Sequence, residues 1–306
     1  MINKQTDGPA DERLAHFQRF VVEGPSEVTR RAYRRERNRA YLGAVKNAAV
    51  ESLRRALGWA GLHPRRVQHN YDAFYKTGVA ELARYLTPEK SAHLQFRGEP
   101  YLAGVYSIKR VQLVHLLDAA RAIKAKSVLE LGFGSGLNLV SLAILDPELD
   151  LTGIEFTYGG GTLARELAAS PPPELLQFLG VRSISSDQRA ALSRIRFIHA
   201  SATDVPLRDK SFDLVFTNQV LEQMGWRKQY KRALAEARRL SRSRAVFIEC
   251  FHECNHGPQR FYLSYKDYFR DRWKRFGDYG LTPVSFSEDV PMKFLYQAGV
   301  LVCDVR

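Results

Sequence analysis

From residue 111 to the C-terminus, short apolar runs alternate with longer amphipathic stretches. VQLVHLLDAARAI, starting at Val111, has helical periodicity, SVLEL (127–131) is a continuous apolar run, and GLNLVSLAIL (136–145) is helical again. LDLTGIEF (149–156) supplies a second strand, with a helical stretch after the triple glycine at 159–161. IRFIHA, FDLVFT and AVFIECF are three more apolar runs, and helical patterns follow the last two, LEQMGWRKQYKRALAEARRL and RFYLSYKDYFRDRWKRF. Strands apolar on both faces, separated by helices, predict an α/β doubly wound, mostly parallel sheet. The closing runs TPVSFSEDV and FLYQAGVLVCDVR have no helix between them, which predicts an antiparallel pair at one edge.

The first 107 residues read differently. Residues 1–24 form a polar lead-in, and Gly24-Pro25-Ser26 offers a helix start with Gly61 and Pro64 as the stop. Between them Tyr33, Tyr41, Val45, Ala48, Ala49, Leu53, Leu57 and Ala60 recur at helical spacing and predict a stripe packed on the protein body. Tyr71 to Tyr85 extends the helical pattern, and QFRGEPYLAGVYSIKR (95–110) reads as a loop rich in aromatics and charge. Residues 1–107 are therefore expected to be a basic, mainly helical extension and substrate cap, and 108–306 the α/β domain.

Charge sharpens this division. The net charge of +13 is concentrated in residues 30–66, where eleven Arg or Lys face only Glu36 and Glu51. Such a segment attracts anionic partners: RNA, acidic glycan or a membrane surface. Its Ala-rich stripe lacks the bulky apolar face of helices that lie in a bilayer surface. No window of about 18 uncharged apolar residues is present, the N-terminus is polar, and Cys250, Cys254 and Cys303 supply no disulfide framework. A cytoplasmic protein is expected.

The densest chemical signal is Val128-Leu129-Glu130-Leu131-Gly132-Phe133-Gly134-Ser135-Gly136, a buried strand running into a glycine loop with a helix behind it. Glycines let the chain turn tightly while a ligand approaches the backbone. The spacing is GxGxG, with Leu137 where a dinucleotide fingerprint has its third glycine, which argues against NAD. Glu155 ends the next strand, 19 residues after Gly136, where a carboxylate can accept hydrogen bonds from ribose hydroxyls.

On these residues, and on the order of the later segments, the chain from about residue 108 resembles the class I S-adenosylmethionine-dependent methyltransferases. The resemblance implies the sheet order 3-2-1-4-5-7-6 with the last strand antiparallel, and S-adenosylmethionine as cofactor. It implies that Glu130, Gly132, Phe133, Gly134 and Gly136 back the methionine part and that Glu155 and Phe156 flank the ribose. Ser201 and Ala202 fall where the family often has an Asp-Ala pair reading adenine, and Ser201 departs from that pattern. Asn218 and Gln219, in FDLVFTNQVLEQM, fall near the methionine end and the acceptor, with Glu222.

An oxygen or nitrogen acceptor also calls for a base. His252 is the first choice because an imidazole titrates near neutrality, with Glu253, His256 and Glu222 in reserve. No metal is expected: Cys250, His252, Cys254 and His256 alternate, but in an extended segment alternate residues lie about 6.6 Å apart and four do not converge on one ion. The TNQV sequence lacks the Asn/Asp-Pro-Pro-aromatic motif of exocyclic-amine nucleic-acid methyltransferases, and no Pro-Cys follows a strand as carbon-5 pyrimidine methylation requires. Tyr101, Tyr106, Phe261, Tyr262 and Tyr265 are candidate pocket walls. The expected activity is O-methylation of a small-molecule, glycan or lipid-linked acceptor, with RNA methylation and a non-catalytic cofactor-binding partner protein as alternatives.

Overall fold

The structure is a computed structural model describing residues 9–56, 64–87, 89–224, 228–266, 269 and 271–305. In chain order its helices are α1 (Pro9–Gln18), α2 (Glu27–Ala56), α3 (Pro64–Tyr75), α4 (Gly78–Leu86), α5 (Ser107–Ala122) and α6 (Leu137–Leu145). Then come α7 (Tyr158–Ala169), α8 (Pro173–Leu179), α9 (Ser186–Arg194), α10 (Tyr230–Leu240) and α11 (Pro258–Lys266). The strands are β1 (Val21–Glu23), β2 (Ser91–Phe96), β3 (Glu99–Gly104), β4 (Ser127–Leu131) and β5 (Asp150–Glu155). β6 (Arg196–His199), β7 (Phe212–Asn218), β8 (Ser241–Glu249), β9 (Leu281–Ser287) and β10 (Gly299–Val305) complete them.

Seven strands form one sheet in the order β6-β5-β4-β7-β8-β10-β9. Renumbered within the sheet this is the expected 3-2-1-4-5-7-6. The five strands from β6 to β8 are parallel, and β10 runs antiparallel to both β8 and β9. Helices cover both faces, and successive strand residues feed opposite layers. Val128 joins the core beneath α5, α6 and α7, while Leu129 and Leu131 join the one beneath α10. Each side chain withdrawn from water in this way contributes about 1.5–3 kcal/mol.

The extension departs from expectation in several places. The segment read as a loop is a β-hairpin, in which β2 pairs antiparallel with β3 and β1 adds a third strand. Arg97 and Gly98 both lie at positive φ (52° and 85°), the two-residue turn that matches strand twist. Leu94, Phe96 and Ala103 from the hairpin are buried with Phe17 of α1 and Val111 of α5. The hairpin is also laced to the body, because Gln95 and Met292 exchange two backbone hydrogen bonds of 2.9 Å.

α2 starts where expected, with Ser26 Oγ accepting the Thr29 N–H at 3.1 Å. Its buried face carries Thr29, Tyr33, Ala44 and Ala48, while Val45 of the expected stripe is 58% exposed. Leu57, Ala60 and Gly61 lie outside the described residues, as do the side chains of Ala49, Leu53 and Tyr265. Pro64 opens α3 rather than ending α2. Similarly, α7 begins at Tyr158, so the triple glycine lies inside its first turn. No helix among the described residues is long and apolar enough to cross a membrane.

Candidate active site

The carboxyl ends of β4, β5, β6 and β7 converge on a cavity of about 390 Å³, at the position where open α/β sheets place their ligands. β4 delivers Glu130 and then the loop Gly132 to Gly136. Backbone hydrogen bonds from Gly132 and Phe133 to the Ile154 carbonyl, at 2.7 and 3.2 Å, pin this loop to the end of β5. Gly136 caps α6 at φ +74°, and a Cβ there would stand 2.6 Å from that of Ala164 in α7. A Cβ on Gly134 would lie 2.5 Å from the Tyr75 hydroxyl, so this backbone is approached from the cavity side.

Glu155 holds the loop from below. One carboxylate oxygen accepts the Gly134 N–H at 2.9 Å, and the other accepts the Thr157 N–H and hydroxyl at 2.9 and 2.8 Å. Burial raises its pKa, and these hydrogen bonds offset part of the rise. Glu130 is 1% exposed, and one of its oxygens accepts from Asn138 Nδ2 at 2.6 Å. Its other oxygen and Asn138 Oδ1 are buried without a partner. Desolvation pushes the Glu130 carboxyl up to about 8 against the pull of Asn138 and Lys109. Two orphaned acceptors in a ligand-sized cavity suit a cationic ligand.

β7 brings Asn218, and Gln219 follows at φ +58°, a strained conformation for a side-chain-bearing residue at the cavity wall. The next turn carries Glu222, which accepts from Cys250 Sγ and Gln223 Nε2, both at 3.2 Å. Glu249 lies beside it, fully buried, its carboxyl raised to about 8 by desolvation.

The extension supplies the roof. Val67, Tyr71, Phe74 and Tyr75 of α3 line the cavity. Gln68 Nε2 donates to the Phe156 carbonyl at 3.1 Å, and Asp72 accepts the Gly159 N–H at 2.9 Å. Asp72 thus caps the N-terminus of α7 from a distant part of the chain.

Eleven of the fifteen residues anticipated from the sequence line this cavity: Glu130, Gly132, Phe133, Gly134, Glu155, Phe156, Ser201, Ala202, Asn218, Gln219 and Glu222. Gly136 serves the helix start instead. Ser201 Oγ is engaged locally, with Thr203 Oγ1 at 2.8 Å and the Thr203 N–H at 3.2 Å. His252, Glu253 and His256 do not line it. After β8 the chain turns back on itself, with Phe251 and Asn255 buried and Asn255 bridging the Phe251 and Gln297 carbonyls. His252 then donates its backbone N–H to Asp271, and Glu253 accepts from the Trp273 N–H. Desolvation, with Arg260 and Arg272 nearby, lowers the His252 pKa.

Sequence reasoning missed Tyr75, Asp72, Asn138, Glu249 and Lys109. Asn138 was findable, being the second residue of the helix behind the glycine loop; the others depend on tertiary contacts. Of the candidate aromatics, Tyr106 lines the cavity, whereas Tyr101 packs on Phe17 and Phe261 is exposed.

Residues 129–248 match the family model described as a methyltransferase domain. Together with the sheet order and the glycine loop, this match makes residues 129–248 a methyltransferase domain of the class I S-adenosylmethionine-dependent kind, with S-adenosylmethionine as cofactor. The fold is also similar to that of the [4+2]-cyclase SpnF, at 14% identity over 78% of this chain and 94% of that one, TM-score 0.50. The N-methyltransferase NodS from Bradyrhizobium japonicum WM9 aligns at 14% identity, 65% and 96% coverage and TM-score 0.46. A geranyl diphosphate C-methyltransferase from Streptomyces coelicolor A3(2) aligns at 10%, 66% and 84%, and 0.45. Identities this low describe a fold and not an acceptor. No curated protein matches the chain.

Proposed function

We propose that the protein methylates a hydroxyl oxygen of a small molecule, using residues 1–107 as the cap over the reaction chamber. The observation that carries this reading is the roof: α3 is tied to β5 and α7 by Gln68 and Asp72, which favours a compact acceptor over a polynucleotide lying in an open groove. The basic side chains Arg31, Arg34, Arg35, Arg39 and Lys46 are on the solvent face of α2, opposite the buried face that carries Tyr33, Ala44 and Ala48. This supports a surface for anionic partners separate from the chamber.

The cofactor, when bound, supplies a methyl group on a positively charged sulfur, and the protein's task is alignment and exclusion of water. Glu155 is the acceptor for ribose hydroxyls, with Phe156 and Ala202 flanking. The free oxygen of Glu130 and Asn138 Oδ1 are the acceptors for the cationic end. Of the four candidate bases only Glu222 reaches the cavity, and its pKa is raised by burial.

Transfer of label from methyl-labelled cofactor into a fractionated lysate tests the reading. Label in small-metabolite material supports it, and label in nuclease-sensitive material overturns it in favour of RNA. A fold does not fix a reaction, as a cyclase on this fold illustrates. Tight cofactor binding with no label in any fraction would favour a role other than methyl transfer.

A further inference from the structure

Adjoining the cofactor cavity is a second one of about 290 Å³, near the small end of the range for small-molecule pockets. Its walls come from three places far apart in the chain: Ala40 on the buried side of α2, Val105 and Ile108 at the start of α5, and Met292, Phe294 and Leu295 between β9 and β10. The two cavities share Tyr106, Lys109, Gln219 and Tyr296. They are neighbouring chambers with those four residues as their common wall. Among the described residues, the charged side chains lining the second chamber are Lys109 and Lys293.

Lys109 is held in place. Its Nζ donates to Asn218 Oδ1 at 3.1 Å, and Asn218 Nδ2 donates to Gln112 Oε1 at 3.0 Å. Lys109 and Gln112 are three residues apart on α5 and so share a face. This relay orients the Asn218 amide and leaves the remaining hydrogens of the ammonium for a ligand.

We propose, on the strength of the methyltransferase reading, that the second chamber holds the acceptor, that the acceptor is an apolar acid, and that Lys109 is the catalytic residue holding its oxygen. An apolar acid here means a phenol or a carboxylic acid on an aromatic or aliphatic body. Apolar walls reward an apolar body at about 25 cal/mol per Å². Two lysines without a lining carboxylate favour an anion over a cation or a neutral group. The chamber volume admits a small molecule and excludes a nucleic-acid strand.

The protonation state of Lys109 suits the role. Burial lowers its pKa, while three carboxyls facing it oppose the shift: Glu130 from β4, Glu222 from the turn after β7, and Glu249 from β8. A phenol is held by the same ammonium, which donates to its oxygen: the O–H bond breaks as the proton passes to water, and the electron pair stays on oxygen as a phenolate facing the ammonium. A carboxylic acid arrives ionised, and Lys109 only holds it.

The test uses the full chain saturated with S-adenosylhomocysteine and three fluorescent probes: 2-naphthol, 2-naphthoate and the neutral 2-methoxynaphthalene. The two acids are expected to bind about tenfold or more tighter than the neutral probe, and Lys109→Met to erase that preference. Ala40→Phe, which fills the chamber, is expected to weaken both acids about tenfold while S-adenosylhomocysteine still binds. Equal affinity for acid and neutral probes overturns the assignment, as does a preference that survives Lys109→Met or acid binding indifferent to Ala40→Phe. Failure of the wild-type chain to bind S-adenosylhomocysteine would refute the cofactor reading as well. Cofactor-product binding without acid preference refutes this assignment alone. Binding of 2-naphthoate but not 2-naphthol would keep the chamber and Lys109 assignment and overturn the hydroxyl reading in favour of a carboxylate acceptor.

Discussion

Replacing Glu155 with Gln keeps the side-chain volume but changes one acceptor into a donor. Whichever way the new amide turns, its NH₂ meets a backbone N–H. The less costly orientation keeps the oxygen on Thr157, where two hydrogen bonds are made, and turns the NH₂ to Gly134, orphaning that buried donor. Losing a hydrogen bond to a charged group and stranding its donor costs about 1–3 kcal/mol, reduced by whatever carboxylate desolvation is relieved. At about 2–4 °C per kcal/mol for a domain of this size, the melting temperature should fall by about 2–12 °C. The same residue accepts the ribose hydroxyls in our reading, so S-adenosylhomocysteine affinity should fall by about 30- to 150-fold, from about 2–3 kcal/mol. Thr157→Val, which removes only the hydroxyl's hydrogen bond, should cost about 1 kcal/mol and change affinity less than about threefold. Differential scanning fluorimetry and calorimetric titration measure both quantities. Glu155→Gln with wild-type affinity would refute the ribose assignment, and an unchanged melting temperature would refute the claim that Glu155 holds the loop.

Four further outcomes are expected. Glu130 and Glu249 give up their protons near 8 in the folded chain and near 4.5 when unfolded, so the folded state binds more protons between those values. Ligand-free stability should therefore fall as pH rises from about 5 to 8, and Glu130→Gln should flatten that slope; a rising melting curve over this window would contradict the burial argument. Gly136→Ala combines a left-handed backbone with the close Ala164 contact and should cost about 2–5 kcal/mol in thermal unfolding, whereas a loss under about 0.5 kcal/mol would mean the loop is free to shift. Asp72→Ala removes the cap on Gly159, worth about 0.5–2 kcal/mol, and should speed S-adenosylhomocysteine dissociation in stopped flow by about 2- to 30-fold; an unchanged rate would detach α3 from cofactor retention. His252→Ala should leave methyl transfer within about twofold of wild type, because the imidazole does not line the cavity, and a large loss of turnover would restore it as a base.

The strands, the glycine loop and Glu155 were legible because their signals are local. A strand running into glycines and then a helix is contiguous in sequence, and an acidic strand end sits at a fixed distance behind it. The β2–β3 hairpin was not legible because its alternation is short and charged residues surround the Arg97-Gly98 turn, so the segment looked like a loop. His252 stands away from the cavity for a related reason. Sequence placed it after the right strand, but burial of Phe251 and Asn255 turns the following backbone onto Asp271 and Trp273.

The strand, glycine loop and helix that wall the cavity were determined by the sequence itself, since the backbone conformations of that loop are set by residues next to one another. The roof and the acceptor chamber were decided only by the tertiary structure. Asp72 meets Gly159 across 87 residues, Lys109 meets Asn218 across 109, and the chamber wall joins Ala40 to Phe294. Those contacts come from helices and loops packing to bury their apolar faces, and one-dimensional spacing carries no record of which distant faces will meet.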